Sequence, residues 1–181
     1  MESLRGKLLL ASPALLDPNF RRAVVLIGPH DQQGALGLVL NRPSEVHVRD
    51  VVGDLGPLSG EADRLFVGGP VAPGAVVVLA EFSDPSLAAM SIIGDIGLPS
   101  MSADPERLAA GVRRSRCFAG HAGWGAGQLD AELAEESWLV EPLIASDLWL
   151  DPDQDLWGTL MLRRGGEYAL LARMPMDPTL N

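Results

Sequence analysis

AVVLIGPHDQQGALGLVL, residues 23–40, places two apolar runs on either side of a polar link. The runs 23–27 and 35–40 are short, rich in Val, Ile and Leu, and bounded by Gly, Pro and Asp, which is the pattern of buried strands. The link 28–34 is short and contains turn-forming residues, so it indicates a hairpin. This stretch therefore predicts two neighbouring β-strands.

Outward from this hairpin, the same pattern predicts strands at residues 7–11, 64–67, 75–79, 91–96, 116–120, 137–140 and 167–171. Four helices are expected. Ser44 can cap one whose apolar face is Val48, Val51, Val52 and Leu55, Asp104-Pro105 can open a second, and residues 128–135 form a third. Asp151-Pro152 can open the fourth, over 152–164, with Trp157 on its apolar face and Gly165 closing it. Strands cluster first and helices come later, without a repeat, so the fold class is α+β. No linker divides the chain, and residues 1–181 are interpreted as one domain.

The charge balance argues against nucleic acid as a partner. The chain has 24 acidic and 14 basic residues, for a formal net charge of −10. Phosphate contacts supply most of the affinity of DNA-binding proteins, and an acidic chain opposes them. The basic clusters at 21–22, 113–116 and 163–164 are interpreted as ordinary solvated surface. Direct DNA binding is therefore not expected.

Cysteine usage and the amino terminus bear on localisation. Cys117 is the only cysteine, so no internal disulfide is available and a reducing compartment is the simplest interpretation. The apolar run after Lys7 is interrupted by Pro13 and Asp17, which makes it too short for a signal peptide or a membrane span. The expectation is a cytoplasmic protein without a membrane partner.

A glycine-rich stretch, GHAGWGAGQL at residues 120–129, follows a predicted strand and opens a predicted helix. Such a turn can bind anions through backbone N–H groups. Its glycines do not fit the spacing of a dinucleotide fingerprint, and Trp124 would crowd a pyrophosphate. Close packing around Trp124 is therefore favoured, and no cofactor is expected. Gly68-Gly69-Pro70 is interpreted first as a turn, with a ligand contact as the alternative.

Few residues are arranged for catalysis or metal binding. Cys117 and His121 lie four residues apart on a predicted strand, which separates them by about a dozen ångströms unless the chain bends. A buried free cysteine is the simpler interpretation. There is no Gly-x-Ser-x-Gly motif. His30, His47 and His121 lack the spacing of metal ligands, and no metal site is expected.

Several motifs together carry a family resemblance. They are GKLL at 6–9, DPNF at 17–20, GALGLVLNRP at 34–43, GGPV at 68–71, the glycine-rich stretch at 120–129 and DLW at 155–157. In this order the chain resembles the YqgE/AlgH family over essentially its whole length. His121 stands where that family commonly has tyrosine, so no role of a tyrosine hydroxyl carries over.

The resemblance implies a bacterial, cytoplasmic α+β domain whose bifurcated sheet includes a small closed barrel surrounded by helices. It implies no catalytic residues, although one branch is labelled a transcriptional regulator of alginate synthesis. The leading interpretation is a binding or regulatory module for an unidentified small molecule or protein. An enzyme, such as a hydrolase using His121 with Cys117 or a nearby carboxylate, is the alternative. The candidate binding surface consists of Asn41, Arg42, Gly68, Gly69, His121, Trp124 and Gln128.

Overall fold

A computed structural model describes residues 2–52, 58, 63–100 and 102–174 of the protein. No helix in these ranges has the length and apolar character needed to span a bilayer. The strands are β1 Lys7–Ala11, β2 Val24–Asp31, β3 Gly34–Val39, β4 Pro43–His47, β5 Arg64–Val67, β6 Val71–Phe82, β7 Ala88–Ile93, β8 Ile96–Pro99, β9 Val112–Gly125 and β10 Trp138–Pro142. The helices are α1 Val48–Val51, α2 Pro105–Gly111, α3 Gln128–Ala134, α4 Leu156–Arg164 and α5 Gly166–Leu171, with 3₁₀ turns at Pro85–Leu87 and Ala145–Trp149.

The ten strands form one branched, mixed sheet with the order β10-β1-β2-β3-β9-β6-β8-β7. On one edge, β9 pairs with β5 at Phe118 and Ala119 and then with β3 from Ala122 onward, while β6 follows its other edge. The sheet is therefore bifurcated, with the fork between residues 119 and 122. The pairings of the described strands form an open path, so the closed barrel and its ring of helices stay predictions.

Glycines make the fork possible because two backbones meet there without side chains between them. A Cβ on Gly68 would lie 2.3 Å from the carbonyl oxygen of Gly120, and one on Gly69 would lie 2.2 Å from the carbonyl carbon of His121. Gly120 itself has a φ of +69°, which favours glycine. The Gly68 N–H donates to Ala119, and its carbonyl accepts from Val39. The loop after β5 is thus held between β3 and β9.

The core lies on both faces of the first strands, which explains their continuous apolar runs. Leu8 and Leu10 of β1 face the cluster around Trp157, whereas Leu9 faces the cluster around Trp124. The strands predicted at 7–11 and 64–67 are confirmed at those residues, and the predicted hairpin is formed by β2 and β3. The strand predicted at 91–96 is wrong, because Gly94, with a φ of +53°, turns the chain between β7 and β8.

The helix expected after Ser44 is also wrong in its bounds. Ser44 lies within β4, where its hydroxyl donates to the Leu65 carbonyl at 2.6 Å. Only Val48–Val51 is helical, and Leu55 lies outside the described residues. Pro43 and the β-branched valines favour extended backbone, and pairing with β5 outweighs the helical spacing.

Two predictions near the carboxyl end need correction. Asp151-Pro152 forms a turn, and α4 begins only at Leu156, where Asp155 accepts a hydrogen bond from the Gly158 N–H at 2.9 Å. The strand predicted at 167–171 is helix α5, because Gly165 and Gly166, both with positive φ, redirect the chain into a second helical segment. Gly165 closes α4 as expected. The helix after Asp104-Pro105 is confirmed, with Asp104 accepting from the Arg107 N–H.

Candidate functional site

The glycine-rich stretch forms packed structure around Trp124. This side chain is 6% exposed and lies against Phe20 and Trp138, with ring centroids 6.2 and 5.9 Å away. Its indole N–H donates to Glu132 at 2.9 Å. A Cβ on Gly34 would lie 2.1 Å from the Trp124 carbonyl oxygen, so the neighbouring strand also needs glycine there. Trp124 therefore faces the core.

Gln128 is engaged in the same network at the start of α3. Its Oε1 accepts from the Gly125 N–H at 3.0 Å, and its Nε2 donates to Glu132 at 2.9 Å. Trp138 also donates to Glu132, at 2.8 Å. Gln128 thus stabilises the turn that precedes α3, which accounts for its position without a ligand.

Cys117 and His121 do not form a nucleophile and base. Cys117 is 1% exposed, and burial, with a smaller contribution from Asp63, raises the pKa of its thiol to about 11. The thiolate is the nucleophilic form, so this cysteine is unreactive at neutral pH. In the described part of the chain no hydrogen bond joins it to His121, which lies beyond Gly120 and pairs with Val71.

The described residues also contain no group of three His, Cys, Asp or Glu side chains that could hold a metal ion. His30 Nδ1 accepts from the Leu4 N–H at 2.9 Å, and Asp31 accepts from the Gln33 N–H at 2.8 Å. His30 therefore holds the segment before β1, and Asp31 stabilises its own turn.

Asn41 and Arg42 lie at the largest of the described clefts near the candidate surface. This cleft, here called the arginine cleft, has a volume of about 610 Å³. It is lined by Pro18, Arg21, Arg22, Asn41, Arg42, Asp153, Gln154, Asp155 and Leu156. The end of β3, the turn before β2 and the start of α4 therefore build it together. Gly68, His121, Trp124 and Gln128 do not line it, and Gly69 lines an adjoining cavity of about 270 Å³.

Asn41 holds one wall of the arginine cleft in place. Its Oδ1 accepts from the Val24 N–H at 2.9 Å and its Nδ2 donates to the Arg22 carbonyl at 2.8 Å. The side chain therefore adds one rung to the pairing of β2 with β3, beyond the last backbone pair. Arg22 has a φ of +53°, which is unusual for a residue other than glycine. Asn41 is a positioning residue for this left-handed backbone.

Arg42 is a half-buried cation with neutral partners. Its guanidinium donates to the carbonyl of Arg21 and, at 3.4 Å, to that of Asn41. Burial lowers the pKa of this guanidinium below its usual value, although it stays protonated. No carboxylate of the described residues forms an ion pair with it. Two of its nitrogens face carbonyls, which leaves further N–H donors for a ligand.

Arg21 and Arg22, like Arg42, form no ion pair with a described carboxylate. Arg22 instead donates to the Met174 carbonyl, and its guanidinium lies 4.8 Å from the centroid of the Trp157 ring. Most arginines elsewhere on the protein are neutralised. Ion pairs with described carboxylates are formed by Arg49, Arg64, Arg107, Arg113, Arg114, Arg163 and Arg164. Three of the remaining arginines, Arg21, Arg22 and Arg42, line this cleft together. Arg116 lies elsewhere and is attracted by Asp63 and Asp151, and Arg5 and Arg173 are also outside the cleft.

The opposite wall is acidic but already engaged. Asp153 pairs with Arg64 at 2.9 Å, and Asp155 caps α4 through Gly158. This wall leaves room for one small anion on the arginine side and opposes a larger polyanion, because the two carboxylates would repel its further charges.

Sequence reasoning found Asn41 and Arg42 but not their neighbours. The local pattern indicates solvated surface for Arg21 and Arg22 and a helix that includes Asp153–Leu156, so it does not predict that they line a cleft. The available signal was the position of Arg21-Arg22 directly after the motif DPNF at 17–20 and before a buried strand. Nothing in the local sequence indicates that Arg21 and Arg22 line the same cleft as residues 153–156.

Known proteins are similar to this chain over nearly its whole length. The model of a family described as AlgH-like matches residues 8–169. A UPF0301 protein of Streptomyces coelicolor is 45% identical, covering 100% of this chain and 97% of the relative. A UPF0301 protein of Mycobacterium tuberculosis is 39% identical, covering 97% and 90%.

Two solved structures share the fold at 29% identity. The crystal structure of protein DIP2367 from Corynebacterium diphtheriae superposes with a TM-score of 0.87, covering 96% of this chain and 94% of that one. The solution structure of the AlgH protein from Pseudomonas aeruginosa gives 0.73, covering 97% and 98%. With the motifs at 34–43 and 120–129 located at the fork of the sheet, these matches show that the chain belongs to the AlgH-like family.

Proposed function

We propose that this protein is a ligand-binding module that holds a small anion in the arginine cleft. The observation that carries the proposal is the set of Arg21, Arg22 and Arg42, which line one cleft without a carboxylate partner among the described residues. The chain as a whole has a net charge of −10, so a local excess of unpaired cations needs a reason.

The physical argument concerns Arg42. A charge taken partly out of water costs free energy unless an opposite charge lies near it. The carbonyls that accept from Arg42 supply dipoles but no counter-charge. An oxyanion in the cleft would supply it, and the planar guanidinium matches the geometry of carboxylate and phosphate groups. A regulatory role would follow if ligand binding changed this surface for a partner protein.

Duplex DNA is not the ligand in this proposal. The clusters at 113–114 and 163–164 are occupied by ion pairs, with Arg113 bonded to Glu81 and Arg163 to Asp147. Only the arginine cleft presents unpaired arginines together, and its acidic wall repels a phosphate chain. We expect no sequence-dependent mobility shift of duplex DNA at nanomolar protein and low salt.

An enzyme remains the second candidate, but its support has become weaker. The hydrolase hypothesis needs a reactive Cys117, and burial raises the pKa of that thiol to about 11. The Ser86 hydroxyl does donate to Asp84 at 2.6 Å, but this exposed pair caps the 3₁₀ turn at Pro85–Leu87, and Asp84 also pairs with Arg107. Binding therefore accounts for more of the geometry than catalysis does.

The test is isothermal titration of the whole protein with inorganic phosphate and with acetate. We expect millimolar binding of at least one of them, and Arg42→Gln should weaken it by about tenfold to a hundredfold, since hydrogen bonds to charged groups contribute roughly 1.5 to 3 kcal/mol. Arg114→Gln is the matched control, because Arg114 is exposed and lines neither cavity. Equal binding by wild type and Arg42→Gln would refute the assignment of the site.

A further inference from the structure

The cavity that adjoins the arginine cleft has a different chemical character. Its volume is about 270 Å³, and it shares Pro18 and Arg42 with the cleft. Its other lining residues are mainly apolar, namely Val39, Pro43, Val67 and Pro70, together with Gly69 and the polar Asn19. Arg42 thus lies at the boundary between a polar chamber and an apolar one.

The apolar chamber is held rigidly by strand ends. The Val67 N–H donates to the Arg42 carbonyl at 2.8 Å, and the Val39 N–H donates to the Gly68 carbonyl at 2.8 Å. Gly69 cannot carry a side chain because its backbone lies directly against His121. The chamber walls are therefore formed before a ligand arrives, which reduces the entropy lost on binding.

Val67 is more exposed than an apolar residue at its position in the sheet needs to be. It ends β5, in the interior of the branched sheet, yet 47% of its surface is accessible. An apolar side chain beside an unpaired cation is typical of sites that bind ligands with both an apolar and a charged part. A cavity of about 150 Å³ with apolar walls is enough to hold benzene, so the chamber accommodates a ring.

We propose that the ligand is an organic anion with an apolar group of about the size of a phenyl ring. This inference rests on the proposed function. Its carboxylate or phosphate lies in the arginine cleft against Arg42, and its apolar group lies in the adjoining chamber against Pro43, Val67 and Pro70. Asp153 and Asp155 on the far wall restrict the acidic part to a single anionic group.

The test compares matched pairs of probes by isothermal titration. Phenyl phosphate is compared with inorganic phosphate, benzoate with acetate, and phenol serves as the uncharged probe. We expect the aromatic member of at least one pair to bind about tenfold to a hundredfold more tightly, because the ring leaves water for an apolar wall. The pair that shows the gain identifies the anionic group. Phenol alone should not bind measurably.

Two variants locate the apolar group. Val67→Ser should reduce the advantage of the aromatic probe at least fivefold and leave inorganic phosphate unchanged. Val46→Ser is the matched control, since Val46 is similarly exposed, lies on the neighbouring strand β4 and lines neither cavity. The NMR chemical shifts of the Val67 and Gly69 amides provide a readout that does not depend on a variant. In the wild type, phenyl phosphate should change these shifts and inorganic phosphate should not.

The outcomes separate the two proposals. If phosphate or acetate binds through Arg42 but the aromatic probes gain nothing, the amphipathic ligand is refuted and the anion site stands. If phenol binds as well as phenyl phosphate, the anionic part of this inference is refuted. If none of the probes binds, both proposals fail.

Discussion

Replacing Asn41 by alanine tests whether this residue positions the arginine cleft. The Val24 N–H, which donates to no other described acceptor, would lose its 2.9 Å acceptor in a residue that is fully buried. An unsatisfied buried donor costs about 1 to 3 kcal/mol. The lost bond to the Arg22 carbonyl adds about 0.5 to 1.5 kcal/mol. We expect the free energy of unfolding to fall by about 2 to 4 kcal/mol.

The assay is urea denaturation followed by tryptophan fluorescence, with Asn19→Ala as the control. Asn19 is exposed, and its side chain makes no hydrogen bond to a described residue, so that variant should change the free energy by less than about 0.5 kcal/mol. Asn41→Asp keeps the acceptor for Val24 but loses the donor to Arg22, and it should fall between wild type and Asn41→Ala.

Phosphate titration of the two Asn41 variants adds a functional readout. Asn41→Ala frees the left-handed backbone of Arg22 and should weaken phosphate binding together with stability, although Asn41 is not required as a ligand contact. A loss of stability below about 1 kcal/mol would refute the positioning role. Unchanged stability with abolished phosphate binding would instead make Asn41 a direct ligand contact.

Three further predictions concern the core and the glycine-rich turn. Trp157→Ala should lower the free energy of unfolding by about 3 to 5 kcal/mol, because the ring is 1% exposed and its N–H donates to the Ala11 carbonyl; a urea melt showing less than about 1 kcal/mol would contradict this. Gln128→Ala should lower the Tm by about 2 to 4 °C through loss of the Gly125 bond, and a calorimetric scan that matches wild type would contradict it. The Cys117 thiol, with its pKa raised to about 11, should react with a disulfide reagent at pH 8 far more slowly in the folded protein than in urea. Because the unfolded thiol ionises near 8.5, stability should also fall from about pH 9 to 11, and equal labelling rates would contradict the burial.

The strands were predictable where burial on both faces made the local pattern unambiguous. Residues 8–11 are apolar without interruption, and they form a strand because both faces of β1 are covered. Helix α2 was predictable from its Asp104-Pro105 cap. The errors lie where local and tertiary preferences differ. Ser44 has the chemistry of a helix cap, but its hydroxyl instead donates to the carbonyl of Leu65 in β5, 21 residues away along the chain.

The candidate site was predictable only in part, for a related reason. Asn41-Arg42 follows a buried strand, so its polar side chains signalled a strand end. The other residues of the arginine cleft come close to Asn41 and Arg42 only through tertiary structure. The pairing of β2 with β3 places Arg22 there, and the packing of the segment before α4 places Asp153 and Asp155 there. The sequence predicts Gly68 and Gly69 as candidate ligand contacts, and in the structure they lie, with Gly120, at a close crossing of two backbones.

The pairing of β1 with β10 has a consequence for synthesis on the ribosome. Lys7 of β1 lies opposite Pro142 of β10, so β1 lacks this described partner on one edge until residues 138–142 have been synthesised. At translation rates of about 5 to 20 residues per second, this interval lasts roughly 7 to 25 s. During it, Leu8 to Leu10 present an apolar strand with an open edge, which is a template for aggregation. We therefore expect β1 to need protection in the nascent chain, as a ribosome-associated chaperone would provide.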